Sequence, residues 1–145
     1  MATKYSKYII TRYEQPQEKN AWSPTYRPED RTKILRLDEN IVPKAKMSVA
    51  CVWFWPAMLK REISERSTKP HSHDYDEVLG LIGTNPDNPH DLCGESEIIL
   101  GGEKHIVNKS VLIYIPAGLE HGPFSETKMD RPIIHFECRS SGAHQ

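Results

Sequence analysis

The sequence His71-Ser72-His73-Asp74-Tyr75-Asp76-Glu77 decides the fold prediction for this chain. It sets two imidazoles two residues apart and a carboxylate four residues after the second. In a strand, residues i and i+2 point to the same face about 7 Å apart, whereas neighbours on a helix surface are three or four residues apart. Pro70 also pushes Lys69 toward extended backbone. We therefore predict a strand at His71 and His73, with both imidazoles on one face.

A second strand is predicted directly after this cluster, in Glu77-Val78-Leu79-Gly80-Leu81. Its alternation places Glu77, Leu79 and Leu81 on one face. A carboxylate in line with two leucines needs a partner, because an unpaired buried charge is costly. A metal ion is one such partner.

A third histidine comes from the distant segment Pro116-Ala117-Gly118-Leu119-Glu120-His121. The preceding run, Val111-Leu112-Ile113-Tyr114-Ile115, is β-branched and aromatic, as is typical of a buried strand. Pro116 fixes its φ and Gly118 allows a positive φ, so the chain turns and presents His121.

Three imidazoles and one carboxylate suit a single divalent first-row metal. The predicted ligands are His71, His73, Glu77 and His121. Iron, manganese, nickel, copper and zinc all remain open. In an octahedral arrangement two positions stay free for substrate, water or dioxygen. One carboxylate on a divalent ion leaves a net positive centre, which favours anionic or enolate-forming ligands.

These two clusters resemble the motifs of the cupin superfamily, G-x5-H-x-H-x3,4-E-x6-G and G-x5-P-x-G-x2-H-x3-N. The four predicted ligands fall on the ligand positions, and Pro116 and Gly118 match the second motif. The flanks depart from the pattern. Glu65 and Ser110 replace the opening glycines, Gly83 comes one residue early, and Ser125 replaces the final Asn. None of these flanking positions supplies a metal ligand in the family.

The resemblance implies an all-β fold, a double-stranded β-helix or cupin jelly-roll barrel, with the metal inside. We predict a single cupin domain over residues 1–145, with an N-terminal extension or arm at 1–45, the barrel at 46–139 and a tail at 140–145. Because the family often pairs, a homodimer is expected. An arm exchanged between subunits would cover sheet edges; the alternative is an extension packed on its own barrel.

Length and composition exclude several classes of protein. A chain of 145 residues matches one domain. Its 19 basic and 20 acidic residues leave a net charge of −1 with no basic tract, which argues against nucleic-acid binding. No apolar run is long enough to predict a membrane span, and the N-terminus does not match a secretory signal. Three widely spaced cysteines argue against a disulfide framework and favour a cytoplasmic location.

Other elements are predicted from local pattern. Strands are expected at 7–13, 32–37, 48–55 and 132–138, and a hairpin at 95–107 around Gly101-Gly102. Loops are expected at 14–31, 84–94 and 124–131, and an exposed strand or turn at 60–69. The tryptophans of the 48–55 strand, Trp53 and Trp55, either fill the core or form an apolar wall of the ligand cavity.

Two weaker site hypotheses follow from isolated residues. Lys60 or Arg61 could clamp a phosphate or carboxylate, although an exposed structural segment is the favoured interpretation. His90 and Cys93 could mark another metal site, but a surface loop explains them better.

The favoured function is a small metalloenzyme that acts on a small organic molecule, with dioxygen chemistry as the preferred reaction. The weak catalytic candidates are His135, as a proton shuttle, and Tyr75. His135 is interpreted first as a surface or satisfied core histidine. No organic cofactor is predicted. The alternative function is a non-catalytic cupin module that binds a metal or small molecule.

Overall fold

The computed structural model describes residues 4–14, 29–61 and 69–140. In these residues eight strands form two antiparallel sheets, and the predicted all-β jelly roll is confirmed. The strands are β1 Arg31–Leu37, β2 Met47–Phe54, β3 Glu77–Gly83, β4 Asp91–Leu100, β5 Glu103–Lys109, β6 Val111–Ile115, β7 His121–Met129 and β8 Ile133–Ser140. Two 3-10 helices cover Ser6–Tyr8 and Pro56–Lys60.

One sheet has five strands in the order β1-β2-β8-β3-β6, and the other has three in the order β5-β4-β7. The hydrophobic core lies between them and draws side chains from both sheets. Its members are Val52, Phe54, Met58, Leu81, Leu92, Ile98, Met129 and Ile133. Burial of these side chains on the inner faces holds the sandwich together.

The inner face of the five-stranded sheet becomes polar toward one end. In the β3–β8 register, Leu81 lies opposite His135, Leu79 opposite Glu137, and Glu77 opposite Arg139. Directly opposed residues share a face, so a row of ionisable side chains continues the apolar core. This row leads to the candidate site.

Trp53 in β2 and Trp55 directly after it lie on the outer side of this sheet, so the predictions that they fill the core or line the ligand cavity are wrong. Ala50, Val52 and Phe54 are the β2 side chains buried in the interior. Alternation along the strand then directs Trp53 outward, and Trp55 is 38% exposed.

The hairpin and several strands match the sequence predictions. The turn between β4 and β5 has positive φ at both Gly101 and Gly102, 55° and 82°, as a two-residue hairpin turn requires. Strands are also confirmed at 32–37, 48–55 and 132–138. β1 falls in the predicted extension, yet it pairs with β2 in the five-stranded sheet. The division at residue 46 stays a prediction.

The predicted strand at 7–13 is wrong. The chain there forms the 3-10 helix Ser6–Tyr8 and then continues irregularly. Ile9 is 71% exposed, so its apolar side chain does not hold the segment against the sheet. The Arg36 N–H of β1 donates to the Arg12 carbonyl at 3.4 Å, but a strand needs a regular ladder of such bonds.

Two predicted loops are shorter than expected. β4 begins at Asp91 and therefore takes the last residues of the predicted 84–94 loop, including the fully buried Leu92. The predicted loop at 124–131 is mostly strand, because β7 continues to Met129. Pairing with β4 stabilises this polar sequence as a strand. Most of the predicted 14–31 and 60–69 segments, and the tail from 141, lie outside the described residues.

In the described part of the chain, no helix combines the length and the apolar character needed to cross a bilayer.

Candidate metal centre

Backbone hydrogen bonds join the two distant histidine segments. His71 and His121 form a β-bridge in which each N–H donates to the other's carbonyl at 2.9 Å. The Gly118 N–H donates to the His73 carbonyl at 2.7 Å, and Gly118 has the expected positive φ of 86°. The main chain therefore brings the segments together independently of any ligand.

The prediction of a strand at His71 and His73 is wrong. His71 forms the isolated bridge, and His73 lies in irregular chain before β3. The rings nevertheless converge, with centroids 4.7 Å apart. The bridge to His121 and the bond from Gly118 replace the strand ladder that we expected to align them.

The three imidazoles form one compact group. His71, His73 and His121 each offer one nitrogen, and these three nitrogens lie within 4.8 Å of one another. A first-row metal has bonds to histidine of about 2.0–2.1 Å, so ligands at right angles lie about 3 Å apart. Small side-chain movements would therefore let the group hold a metal ion.

Hydrogen bonds set the tautomers of two of the histidines. His71 Nδ1 lies 2.6 Å from the Lys69 carbonyl, and His121 Nδ1 lies 2.9 Å from the Leu119 carbonyl. Since a carbonyl only accepts, each Nδ1 carries the proton and each Nε2 keeps its lone pair. This backbone support of the distal nitrogen is typical of metal-binding histidines.

Two acceptor atoms at the site are buried without a hydrogen-bond partner, His121 Nε2 and Glu77 Oε2. Leaving such atoms unpaired costs about 1–3 kcal/mol each, and more for a charged group. Both would be satisfied by a cation. The residues present therefore fit a divalent metal on structural grounds that are independent of the motif.

Glu77 begins β3, as predicted, and its side chain is almost completely buried. Its Oε2 lies 3.5 Å from His73 Nε2 and 3.6 Å from Arg139 Nε. The carboxylate is thus next to the imidazole group and also next to a guanidinium. That these four residues are the metal ligands stays a prediction.

Burial sets the protonation of the group. It is the main cause that lowers the pKa of His73 to about 4, with smaller contributions from His71 and His121. Burial also lowers the pKa of His121 and raises that of Glu77. His73 and His121 are therefore neutral at pH 7, the form that binds metal.

These pKa values predict how acid affects the metal-free protein. Between pH 6.5 and about 4, unfolded His73 binds a proton that folded His73 does not, so the free energy of unfolding falls as pH falls. We expect thermal melts in chelator to show a decreasing Tm across this window. The raised pKa of Glu77 acts in the opposite direction above about pH 4.5, so the comparison requires a variant. His73→Gln should flatten the slope; equal slopes in both proteins would contradict this assignment.

Tyr75 lies beside the imidazole group and contacts it through the ring of His73. Its ring stacks on His73 with centroids 4.6 Å apart and planes inclined by 6°. The Arg139 guanidinium carbon is 5.8 Å from the Tyr75 ring centroid. Tyr75 therefore fixes the orientation of His73, and its predicted catalytic role stays untested.

His135 lies on the inner face, deeper than the imidazole group. Its ring stacks on Phe54 at 5.0 Å, and its Nδ1 lies 3.0 Å from the Gly80 carbonyl. Burial lowers its pKa. This environment matches the interpretation as a satisfied core histidine, and its role as a proton shuttle stays a prediction.

The weaker site hypotheses gain no support from the described residues. Arg61 pairs with Asp30 at 3.0 Å in a mostly buried ion pair, so it anchors the start of β1. Lys60 and His90 are exposed. In the described ranges, the one group of three or more potential metal-binding side chains in close contact is the histidine group above.

Sequence reasoning missed Glu137 and Arg139. Arg139 Nη2 donates to Glu137 Oε2 at 3.2 Å, and both side chains lie on the inner face opposite β3. The sequence feature that could have revealed them is the alternation along β8, which places His135, Glu137 and Arg139 on one face. A predicted β3–β8 pairing would have been needed to use it.

Comparison with solved structures identifies the jelly roll. An RmlC-like cupin from Shewanella frigidimarina matches with a TM-score of 0.50 and 11% identity, over 92% of this chain and 95% of that one. A predicted oxalate decarboxylase from Thermotoga maritima matches with a TM-score of 0.51 and 12% identity, over 77% of this chain and 79% of that one. No protein-family model and no curated protein matches. The chain therefore has the cupin fold that the resemblance of its two motifs predicted.

Proposed function

We propose that this protein is a small metal-binding cupin in which His71, His73, Glu77 and His121 hold one divalent transition metal: iron, manganese, nickel, copper or zinc. The observation that carries the proposal is the pair of buried, unpartnered acceptor atoms, His121 Nε2 and Glu77 Oε2, beside neutral imidazoles. One metal ion would bind both atoms, and Arg139, at 3.6 Å from Glu77 Oε2, is too far to donate a good hydrogen bond to that oxygen.

We further propose that the protein is a metalloenzyme acting on a small organic molecule, with dioxygen chemistry as the preferred reaction. A bound metal would polarise a substrate oxygen, or activate dioxygen if it is iron. The chain itself would bind and orient the substrate. Beside the imidazole group it offers the Tyr75 ring, stacked on His73, and the Arg139 guanidinium, which lies 5.8 Å from the centre of that ring.

Oxygen uptake tests the dioxygenase proposal. The Fe(II)-loaded protein is mixed with acetylacetone or catechol, which represent enolisable and aromatic substrates, in an oxygen-electrode cell. We expect uptake with at least one compound, and uptake at the buffer rate for His121→Ala. His105→Ala is the matched control, because His105 is an exposed histidine on β5 that pairs with Glu103. Equal uptake by wild type and His121→Ala would remove the oxygenase proposal.

The alternative is a non-catalytic cupin module, and one observation favours it. Two titratable side chains near the site, His135 and Asp76, already have hydrogen-bond partners in the protein. His135 bonds to the Gly80 carbonyl, and the Asp76 carboxylate accepts from the Ala117 N–H at 2.9 Å. A hydrogen bond from the Tyr114 side chain is the main cause that lowers the pKa of Asp76, and the one from the Ala117 N–H is the next. Metal-loaded protein that binds a small molecule without converting it would support this alternative.

We also propose a homodimer that forms through the outer face of the five-stranded sheet. Three adjacent rows of this face contain no charged residue. They are Leu37, Val49, Cys138, Val78 and Tyr114; Leu35, Cys51, Phe136, Gly80 and Leu112; and Thr32, Trp53, Ile134 and Ile82. Leu112 and Tyr114 are 67% and 59% exposed.

Charge and area favour a second copy as the partner. A two-fold interface packs a patch against itself, and none of the residues in these three rows has a charge that burial would have to desolvate. The Asp76 carboxylate reaches the edge of the patch, where it hydrogen-bonds to Tyr114. The patch is five strands wide, with a spacing of about 4.8 Å, and about five residues long. Its flat area is therefore about 400 Å², and protruding side chains increase the accessible area. This is half of the about 800 Å² per partner in a standard interface, and the rim would supply the rest. Most of the predicted N-terminal arm lies outside the described residues, so its exchange stays a prediction. The cytoplasmic location also stays a prediction.

A further inference from the structure

Arg139 has an unused hydrogen-bond donor beside the candidate metal centre. Its Nη2 donates to Glu137, but its Nε is buried and has no hydrogen-bond partner. Glu77 Oε2 lies 3.6 Å from Nε, beyond good hydrogen-bond range. The site thus combines two unpaired acceptors with one unpaired donor.

A metal ion would satisfy the acceptors and leave the donor unsatisfied. If Glu77 turns toward a divalent ion, the Arg139 Nε–H still needs an acceptor, and an unpaired buried donor is costly. Charge leads to the same requirement. The ion and Arg139 contribute three positive charges, and Glu77 and Glu137 contribute two negative ones. One positive charge remains for an anionic ligand to neutralise.

The geometry restricts the size of such a ligand. Arg139 Nε lies 3.6 Å from Glu77 Oε2, which we assign as a metal-ligand atom, so a small molecule bound to that metal could also reach Arg139. Tyr75 lies between His73 and Arg139 in one continuous wall. A ligand that touches both the metal and Arg139 therefore needs two oxygen groups close together.

We infer that Arg139 binds the carboxylate of a small substrate whose second oxygen group binds the metal. The substrate class is a short carboxylic acid with a hydroxyl, keto or second carboxyl group one or two carbons away. Arg139 would then be a specificity-determining residue, since a guanidinium matches the geometry of a carboxylate and discriminates against neutral analogues. This inference rests on the metal site proposed above.

Calorimetric titration of the zinc-loaded protein tests the inference. Malonate serves as the acidic probe, and malonamide, in which both carboxylates are amides, serves as its neutral control. We expect wild type to bind malonate more tightly than malonamide, because a hydrogen bond between two charged groups is stronger than one to a neutral amide. Arg139→Gln should lose at least about 10-fold of this preference and still hold one zinc per chain. Arg131→Gln, which alters an exposed arginine, should keep both.

The outcomes separate the inference from the proposed function. Equal preference for malonate in wild type and zinc-loaded Arg139→Gln would overturn the role of Arg139. Loss of zinc from Arg139→Gln would overturn it too, because Arg139 would then be a positioning residue for Glu77. A wild-type protein that binds no zinc and no other divalent metal would contradict the metal site itself.

Discussion

Replacing His121 by alanine lowers the affinity of the protein for Zn(II) and Fe(II) by at least about 100-fold. Loss of an outer-shell partner typically costs 10–100-fold in metal affinity, and loss of a ligand should exceed that range. His121 is fully buried, its Nδ1 is fixed by the Leu119 carbonyl, and its Nε2 has no protein partner. The measurement is competition with a chromophoric chelator at pH 7.5, followed by elemental analysis of the dialysed protein.

The matched control for this experiment is His105→Ala. His105 is 52% exposed in its side chain and pairs with Glu103 on the three-stranded sheet. Its removal should leave metal affinity within about twofold of wild type, because no surface histidine is needed at the site. If His121→Ala binds metal as tightly as His105→Ala, His121 is not a ligand.

We expect the Leu112→Lys substitution to convert the proposed dimer to a monomer. In a two-fold interface each substitution buries two lysines without partners, and each buried charge costs several kcal/mol. The dissociation constant should therefore rise by about 1000-fold or more. Light scattering coupled to size exclusion should give twice the chain mass of 16.7 kDa for wild type, and the single-chain mass for the variant.

Ile106→Lys provides the control for this surface. Ile106 is 54% exposed on β5, in the other sheet, so the change in charge and hydrophobicity is the same at a different place. This variant should remain dimeric. A monomeric wild type would refute the homodimer, and a dimeric Leu112→Lys would place the interface elsewhere, as exchanged arms would. Metal content should be unchanged in both variants.

The residues that converge at the candidate site could be predicted from the sequence. The backbone structure and contacts that hold them could be predicted less well. The histidine segments carry their own turn residues, and Gly118 has the positive φ that its motif requires. The convergence of His71 and His121 could be predicted because it depends on these local features and on their shared motif. The bridge that joins them is a long-range contact, and local pattern predicted a strand there instead.

The prediction failed where burial contradicts residue type. Ser125 and Glu126 are buried polar residues in β7, and their polarity made this strand look like a loop. The large apolar Trp53 lies on the outer face, while Arg139 and Glu137 lie on the inner one. Hydrophobic alternation predicts which residues share a face. It does not decide which face is inside when the interior holds a polar site and the exterior is an apolar surface.

Elemental analysis of the wild-type protein is the direct test of whether the chain binds a metal ion. The purified chain is incubated in turn with Fe(II), Mn(II), Ni(II), Cu(II) and Zn(II), dialysed at pH 7.5, and its metal content is compared with the protein concentration. We expect one tightly held ion per chain for at least one of these metals. Protein that retains none of the five would contradict a metal centre at His71, His73, Glu77 and His121.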